Sequence, residues 1–308
     1  MSENSVEGII FNIQRFAIQD GPGIRTTVFF KGCPLHCPWC SNPESLKQEP
    51  EIIVRDVRCI KCGHCIEVCS QQAITVREGE RILDWEKCDR CLKCVEVCPS
   101  HSIERMGEVM TVNSILDIVK RDAGFYRHSN GGMTLSGGEP LLQWQFALEV
   151  LRDAKGMGFH TALDTTAYAS WEVLDEVMNF TDLLLCDVKH MNSERHQETT
   201  GVPVQRILEN LQKVAARPKS KIWVRHPLIP NFNDSEEDLE ELCKFVRTLG
   251  PAVEKLSLLP YHKFGETKYT ATGRTYPWAE ASLLSDERVE ELKQMAEGLC
   301  DIKVDAGK

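Results

Sequence analysis

Two rhythms alternate along the chain. Short apolar and β-branched runs suit strands, and between them apolar side chains recur every three or four positions, as on one face of a helix. Gly8-Ile9-Ile10-Phe11-Asn12-Ile13 reads as a strand and Asp20-Gly21-Pro22-Gly23 as a turn. Ile24 to Phe30 then form a strand that delivers Cys33 at its C-terminal end. Beyond Arg105 the spacing Val112, Ile115, Leu116, Val119 predicts a helix over 111–123, with Asn113 or Ser114 as its cap. Strands are expected over 133–136, 160–164, 182–188, 221–225 and 255–259, with a short last one near 302–304. Helices are expected over 143–155, 171–178, 194–199, 204–215, 235–249 and 286–297. This alternation predicts an α/β fold with a parallel sheet covered by helices. About six β/α units, against the eight of a closed barrel, give a partial (β/α)6 barrel open on one side. The acidic run 234–238 reads as a helix start, Ser235-x-x-Asp238, whose carboxylates complement the helix dipole.

The texture changes between residues 51 and 105. Cys59-x2-Cys62-x2-Cys65-x3-Cys69 is matched by Cys88-x2-Cys91-x2-Cys94-x3-Cys98-Pro99, every cysteine recurring after 29 residues. This is the spacing of bacterial two-cluster ferredoxins, in which the fourth cysteine of each run ligates the other cluster. Cys59, Cys62, Cys65 and Cys98 are therefore paired on one 4Fe–4S cube, and Cys88, Cys91, Cys94 and Cys69 on a second. Zinc knuckles are the alternative, although four cysteines crowd into each eleven-residue run. The predicted organisation is a core of 1–50 and 106–308, interrupted at 51–105 by an inserted ferredoxin-like α+β domain that depends on its metal to fold.

The chain has 308 residues, 42% of them hydrophobic and 27% charged, enough for one large domain or two unequal ones. A net charge of −10 argues against non-specific nucleic-acid binding, which needs a basic surface. No apolar run approaches the ~20 residues of a spanning helix, and the first residues lack a basic and apolar signal, so a cytoplasmic protein without a membrane partner is expected. In a reducing compartment, eleven of the fourteen cysteines lying between Cys33 and Cys98 mean metal rather than disulfides. Cys186, Cys243 and Cys300 stand apart among apolar neighbours and read as core thiols.

Lys31-Gly32-Cys33-Pro34-Leu35-His36-Cys37-Pro38-Trp39-Cys40-Ser41 carries the chemistry. Three thiolates on one loop hold three irons of a cube that normally takes four cysteines, leaving one iron open to another ligand. A zinc ion completed by His36 or His64 is the alternative, because thiolates suit both metals. Four further stretches fall where strands should end, on one rim of the sheet. They are Ser136-Gly137-Gly138-Glu139-Pro140, Asp164-Thr165-Thr166, Asp187-Val188-Lys189 and Leu259-Pro260-Tyr261-His262. Paired glycines admit a ligand close to the backbone, and Asp187 with Lys189 suits a zwitterionic amino-acid group.

Cys33-x3-Cys37-x2-Cys40 followed by Gly-Gly-Glu-Pro resembles the radical S-adenosylmethionine superfamily, whose core is a partial TIM-like barrel. Asp20-Gly21-Pro22-Gly23-Ile24-Arg25, Phe30-Lys31-Gly32-Cys33 and Trp39-Cys40-Ser41-Asn42-Pro43-Glu44 narrow the likeness to activating enzymes of glycyl radical enzymes. The cysteine-rich insert resembles the subgroup acting on glycerol, choline, isethionate, hydroxyproline or arylacetate enzymes. The resemblance implies that Cys33, Cys37 and Cys40 hold the catalytic cluster and that its open iron takes the amino and carboxylate groups of S-adenosylmethionine. It implies cofactor contacts from Trp39, Cys40, Ser41, Gly138, Glu139, Asp187, Val188, Lys189, Arg225 and His262, with Lys189 counted among the catalytic residues. A monovalent cation at Asp164, Thr165 and Asp187 is implied too, although Ala167 stands where such proteins often have glycine. The implied reaction is reductive cleavage of the cofactor to a 5′-deoxyadenosyl radical, which takes a hydrogen from a backbone glycine of a partner enzyme entering by the barrel's open side. Three 4Fe–4S clusters and an electron donor such as flavodoxin or ferredoxin complete the expectation. A radical enzyme acting on a small molecule or peptide is the alternative.

Overall fold

The computed structural model describes residues 6–307. Thirteen strands run in chain order as β1 (Glu7–Ala17), β2 (Arg25–Phe30), β3 (Glu51–Val54), β4 (Ile74–Arg77), β5 (Glu80–Leu83), β6 (Ile103–Met106) and β7 (Glu108–Thr111). They continue as β8 (Gly132–Gly137), β9 (His160–Thr165), β10 (Leu183–Asp187), β11 (Ile222–Leu228), β12 (Val253–Pro260) and β13 (Lys303–Ala306). Nine of them make one sheet in the order β13-β12-β11-β10-β9-β8-β2-β1-β7. From β2 to β13 every neighbouring pair is parallel, while β1 lies antiparallel between β2 and β7. The end strands β13 and β7 gain no further sheet partner among the described residues, so the sheet curves without closing. This is the partial barrel the pattern predicts.

Strand periodicity decides which chemistry faces inward. Met133 and Leu135, Leu163, Leu184 and Cys186, and Val224 join the large core between the sheet and its helices. Their alternates Ala162, Leu183, Leu185 and Trp223 form a separate small cluster on the other face. Because successive side chains point to opposite faces, the next positions in that second phase are Asp164, Asp187 and Arg225 at the strand ends. The helices Trp144–Gly156, Gln205–Ala215 and Glu236–Thr248 cover the outer face through residues such as Val150, Leu211 and Leu242, all fully buried. Cys186, Cys243 and Cys300 are buried in that core, as expected.

Boundaries differ from the prediction where side-chain capping decides. The helix expected over 111–123 spans Val112–Lys120, and its cap is Thr111, whose side chain accepts from the Ser114 amide. Ala123–Ser129 is a separate helix. Ser235 caps Glu236–Thr248 by accepting from the Asp238 amide at 3.1 Å, so the acidic run is a helix start. The helix Glu266–Ala271 and β7 had no periodic signal: each is short, and β7 is defined by backbone pairing to β1.

Between β2 and β7 the chain makes two small sheets, β3 with β6 and β4 with β5, and two one-turn helices, His64–Glu67 and Lys93–Glu96. The cysteine period is also a structural period. β3 and β5, the two helices, and β4 and β6 are each separated by 29 residues. Left-handed backbone recurs in step, at Lys61 and Arg90, Gly63 and Leu92, and Gln72 and His101.

Candidate active site

A cavity of about 250 Å³ opens at the C-terminal ends of the parallel strands. Cys33, Cys37 and Cys40 line it from the loop after β2, and Ser136, Asp164, Asp187 and Arg225 line it from the ends of β8, β9, β10 and β11. The loop is fixed at both ends by backbone hydrogen bonds. Gly32 N–H donates to Ser45 O at 2.7 Å, Cys33 N–H to Leu46 O at 3.3 Å, and His36 N–H to Thr200 O at 2.8 Å. Lys268 adds a clamp from far along the chain, donating to Ser41 O at 3.0 Å and Asn42 Oδ1 at 2.9 Å and pairing with Glu44 at 2.9 Å. Nothing in the local sequence announces Lys268.

Three thiols on one loop facing one cavity suit an iron–sulfur cube. Burial pushes the Cys33 thiol far up, raises Cys40, and pushes Cys37 up to about 12. Metal must displace those protons, and its positive charge offsets the cost of thiolates in a dry site. The Asn42 amide already donates to Cys40 Sγ at 3.4 Å. Among the described residues no three His, Cys, Asp or Glu side chains gather around one ion. A cube's cysteines each bind a separate iron and need no such convergence. Neither His36 nor His64, the histidines weighed for a zinc site, lines this cavity with the three cysteines.

Opposite the cysteines lies a network of buried charge. Asp187 pairs with Lys189 at 2.8 Å and with Arg225 at 2.8 Å, while Arg225 also pairs with Asp164 at 2.9 Å. Ser136 donates to the second Asp164 oxygen at 2.6 Å. Burial opposes ionisation of Asp187, but Arg225 and Lys189 overcome it and hold its pKa below the ordinary carboxylate range. Burial instead carries Asp164 up to about 6 against the pull of Arg225. Lys189 is held charged by Asp187 in spite of its burial. Two carboxylates facing two cations make a neutral but strongly polar wall, matched to a ligand that carries both signs of charge.

Of the expected cofactor contacts, Trp39, Cys40, Ser41, Gly138, Asp187, Lys189, Arg225 and His262 line the cavity. Glu139 and Val188 do not. The Glu139 carboxylate is fully engaged, accepting from Thr165 Oγ1 and Thr166 Oγ1 at 2.6 Å each, Thr166 N–H at 2.9 Å and Leu141 N–H at 3.0 Å. It braces the turn after β9 against the turn after β8. Val188 is buried in the outer core. Its amide donates to Arg225 O at 2.9 Å, aligning Asp187 with Arg225. Asp164, Thr165 and Asp187 do meet at the cavity. Ala167 takes the left-handed φ of 56° that glycine usually supplies, and Asn210 donates to its carbonyl at 2.8 Å. Leu259 and Tyr261 of the expected rim stretch join Leu35 and Ile229 in an apolar wall.

Within residues 51–105 a second cavity is lined by Cys69, Cys88, Cys91 and Cys94, together with Ile52, Ile74 and Leu83. These are the four cysteines that the crossed pairing groups together. Cys59, Cys62 and Cys65 neighbour one another in the other half.

Residues 27–246 match the Radical SAM superfamily model. The chain is 43% identical, over 93% of its length and 93% of the relative's, to the isethionate sulfite-lyase activating enzyme of Oleidesulfovibrio alaskensis. It is 40% identical to the (2S)-3-sulfopropanediol dehydratase activating enzyme of Klebsiella oxytoca, covering 95% of this chain and 94% of that one. Among solved structures it resembles Streptococcus suis SuiB bound to precursor peptide SuiA, with TM-score 0.55 and 13% identity over 90% of this chain and 46% of that one, a likeness of fold alone.

Proposed function

The chain belongs to the radical S-adenosylmethionine superfamily and, within it, to the activating enzymes of glycyl radical enzymes, and from that membership we propose how its residues divide the work. It is an oxidoreductase that cleaves S-adenosylmethionine and uses the 5′-deoxyadenosyl radical to take a hydrogen from a backbone glycine of a partner glycyl radical enzyme. A bound 4Fe–4S cluster supplies the electron for that cleavage. Cys33, Cys37 and Cys40 hold this cluster. Asp187, Lys189 and Arg225 would hold the cofactor's amino and carboxylate groups through their opposite charges. Gly138 lets it approach the backbone, and Trp39, Ser41 and His262 border it. The apolar wall of Leu35, Ile229, Leu259 and Tyr261 excludes water from the reacting carbon. A monovalent cation at Asp164, Thr165 and Asp187 enters this reading by resemblance alone, since both carboxylates are already ion-paired.

One observation carries the proposal: a three-cysteine loop and the inward-facing ends of four successive strands converge on a single cavity. Residues 51–105 are read as the ferredoxin-like insert within a core of 1–50 and 106–308, supported by its structural repeat and the four-cysteine cavity. Its two cysteine runs would hold two clusters, which would supply an electron path from a donor such as flavodoxin or ferredoxin. No helix among the described residues is long and apolar enough to cross a membrane, and the dense thiols suit the reducing cytoplasm. The partner's glycine loop enters through the unclosed side of the barrel. Identities of 43% and 40% to relatives named for different partners are too close to select one.

An anaerobic assay tests the function. Reconstituted protein, reductant and S-adenosylmethionine are mixed with a panel of glycyl radical enzymes, and a glycyl doublet is sought by electron paramagnetic resonance. The expected result is a doublet on one partner, abolished in Cys37→Ala while the insert keeps its iron. Cofactor cleavage without a radical on any partner favours the small-molecule alternative. Intact clusters without cleavage overturn the enzyme reading.

A further inference from the structure

The repeat in the insert recurs after 29 residues in cysteines, elements and backbone, and it is broken at one chemically decisive position. Twenty-nine residues separate Ile52 on β3 from Arg81 on β5. Ile52 is 1% exposed and lines the cavity of Cys69, Cys88, Cys91 and Cys94. Arg81 occupies the equivalent place in the other half, with its side chain 6% exposed. Its Nη2 donates to Asp56 Oδ1 at 2.6 Å and to Ser102 Oγ at 2.8 Å. Its guanidinium neighbours the Cys59 and Cys65 thiols, and its buried Nε–H has no hydrogen-bond partner in the protein. A cluster sulfur is the acceptor that such a donor lacks.

We infer that Arg81 makes the two insert clusters unequal, giving the one held by Cys59, Cys62, Cys65 and Cys98 the higher reduction potential. The inference rests on the reading that the insert holds two clusters. Reduction adds negative charge to a cube, so a buried cation and an N–H directed at its sulfurs stabilise the reduced form. The other site has cations nearby, but Arg90 is drawn to Glu51 at 3.7 Å and Lys93 is exposed to solvent. Cys94 there is buried where Cys65 is half-buried, which pushes the difference in the same direction. Electrons entering the insert therefore settle first on the Cys59 side, beside the exposed Val57 and Ile60.

The full-length Cys37→Ala protein, which lacks the catalytic cluster, is reconstituted anaerobically and titrated by electron paramagnetic resonance against potential. Iron and sulfide analysis first establishes that both cubes are present. Two one-electron waves are expected. Arg81→Met lowers the upper wave, changing the ratio of reduced to oxidised cluster about tenfold at fixed potential, a shift of about 59 mV. Arg81→Lys gives a smaller shift, because it keeps the charge without the Nε–H. Asp56→Asn, on an exposed carboxylate, raises the upper wave by removing the counter-charge. Intact cubes with the upper wave unmoved in Arg81→Met overturn the inference, as do shifts of the same sign in Arg81→Met and Asp56→Asn. Failure of the full-length protein to bind two cubes overturns the reading beneath it as well.

Discussion

Asp187 lies between Lys189 and Arg225 with Asp164 nearby, and its behaviour follows from that company. Its pKa in the folded chain is held below the ordinary value, so it contributes stability that is present above about pH 4 and lost as pH falls toward the folded value. Asp187→Asn leaves Lys189 without its acidic partner and should destabilise the metal-free protein by about 3 kcal/mol at pH 7. Asp164 moves the other way: relieved of a like charge, it ionises more readily beside Arg225 and recovers part of the loss. The gap between wild type and variant should therefore widen as pH drops from 6 toward 4, where Asp164 protonates in the wild type and the relief is lost, and narrow only below about pH 4 as Asp187 itself takes up a proton. Anaerobic denaturant unfolding at several pH values measures this, and a gap independent of pH would refute the assignment.

At the level of elements, the site depends on two turns approaching within backbone contact. A Cβ on Gly138, after β8, would meet Gly32 O at 2.2 Å and Ser45 O at 3.0 Å, the residues that anchor both ends of the cysteine loop. Both obstacles are backbone, so neither can rotate away. Gly138→Ala should keep the fold, by circular dichroism, but lose at least tenfold in cofactor cleavage as the loop is displaced. Gly156→Ala, with nothing within 4 Å of its Cβ, is the control and should leave cleavage unchanged. Wild-type cleavage in Gly138→Ala would show that the loop has room to spare. Strand ends of this kind were legible in the sequence, because period-two burial and glycine-rich turns are local signals. Asp164 and Asp187 could be placed on one rim from their positions alone, while Arg225 entered by resemblance. The bracing by Glu139 was not legible, since its four donors come from the ends of two different strands and the turns after them, and a motif records the residue without its partners. Lys268 was invisible for the same reason, lying 227 residues from Ser41 in the chain.

At the scale of the whole molecule, the segment between β3 and β6 and the nine-stranded sheet meet on one buried carboxylate. Glu51, at the start of β3, accepts from Arg274 at 2.8 and 3.0 Å and pairs with Lys31 at 3.4 Å, two residues before Cys33. Arg90, between Cys88 and Cys91, approaches the same carboxylate at 3.7 Å. Lys31 has no solvent exposure, and its other bond is to Glu44 O at 2.6 Å. Glu51 thus joins the cysteine loop after β2, the loop over 88–94 and the segment after Glu266–Ala271. Glu51→Gln keeps the shape but removes the charge that offsets Lys31, a change that costs about 3–5 kcal/mol where a buried pair is broken. If the junction were merely a surface contact, that cost would be under about 1 kcal/mol and no segment would loosen. We expect faster amide hydrogen exchange in 47–54 and 88–94, with the sheet from β8 to β12 unchanged. Cofactor cleavage driven through the insert should fall more than cleavage driven by a small reductant acting directly on the catalytic cluster. Equal losses by both routes would mean that Glu51 supports only the cysteine loop, and that the insert couples to the barrel elsewhere.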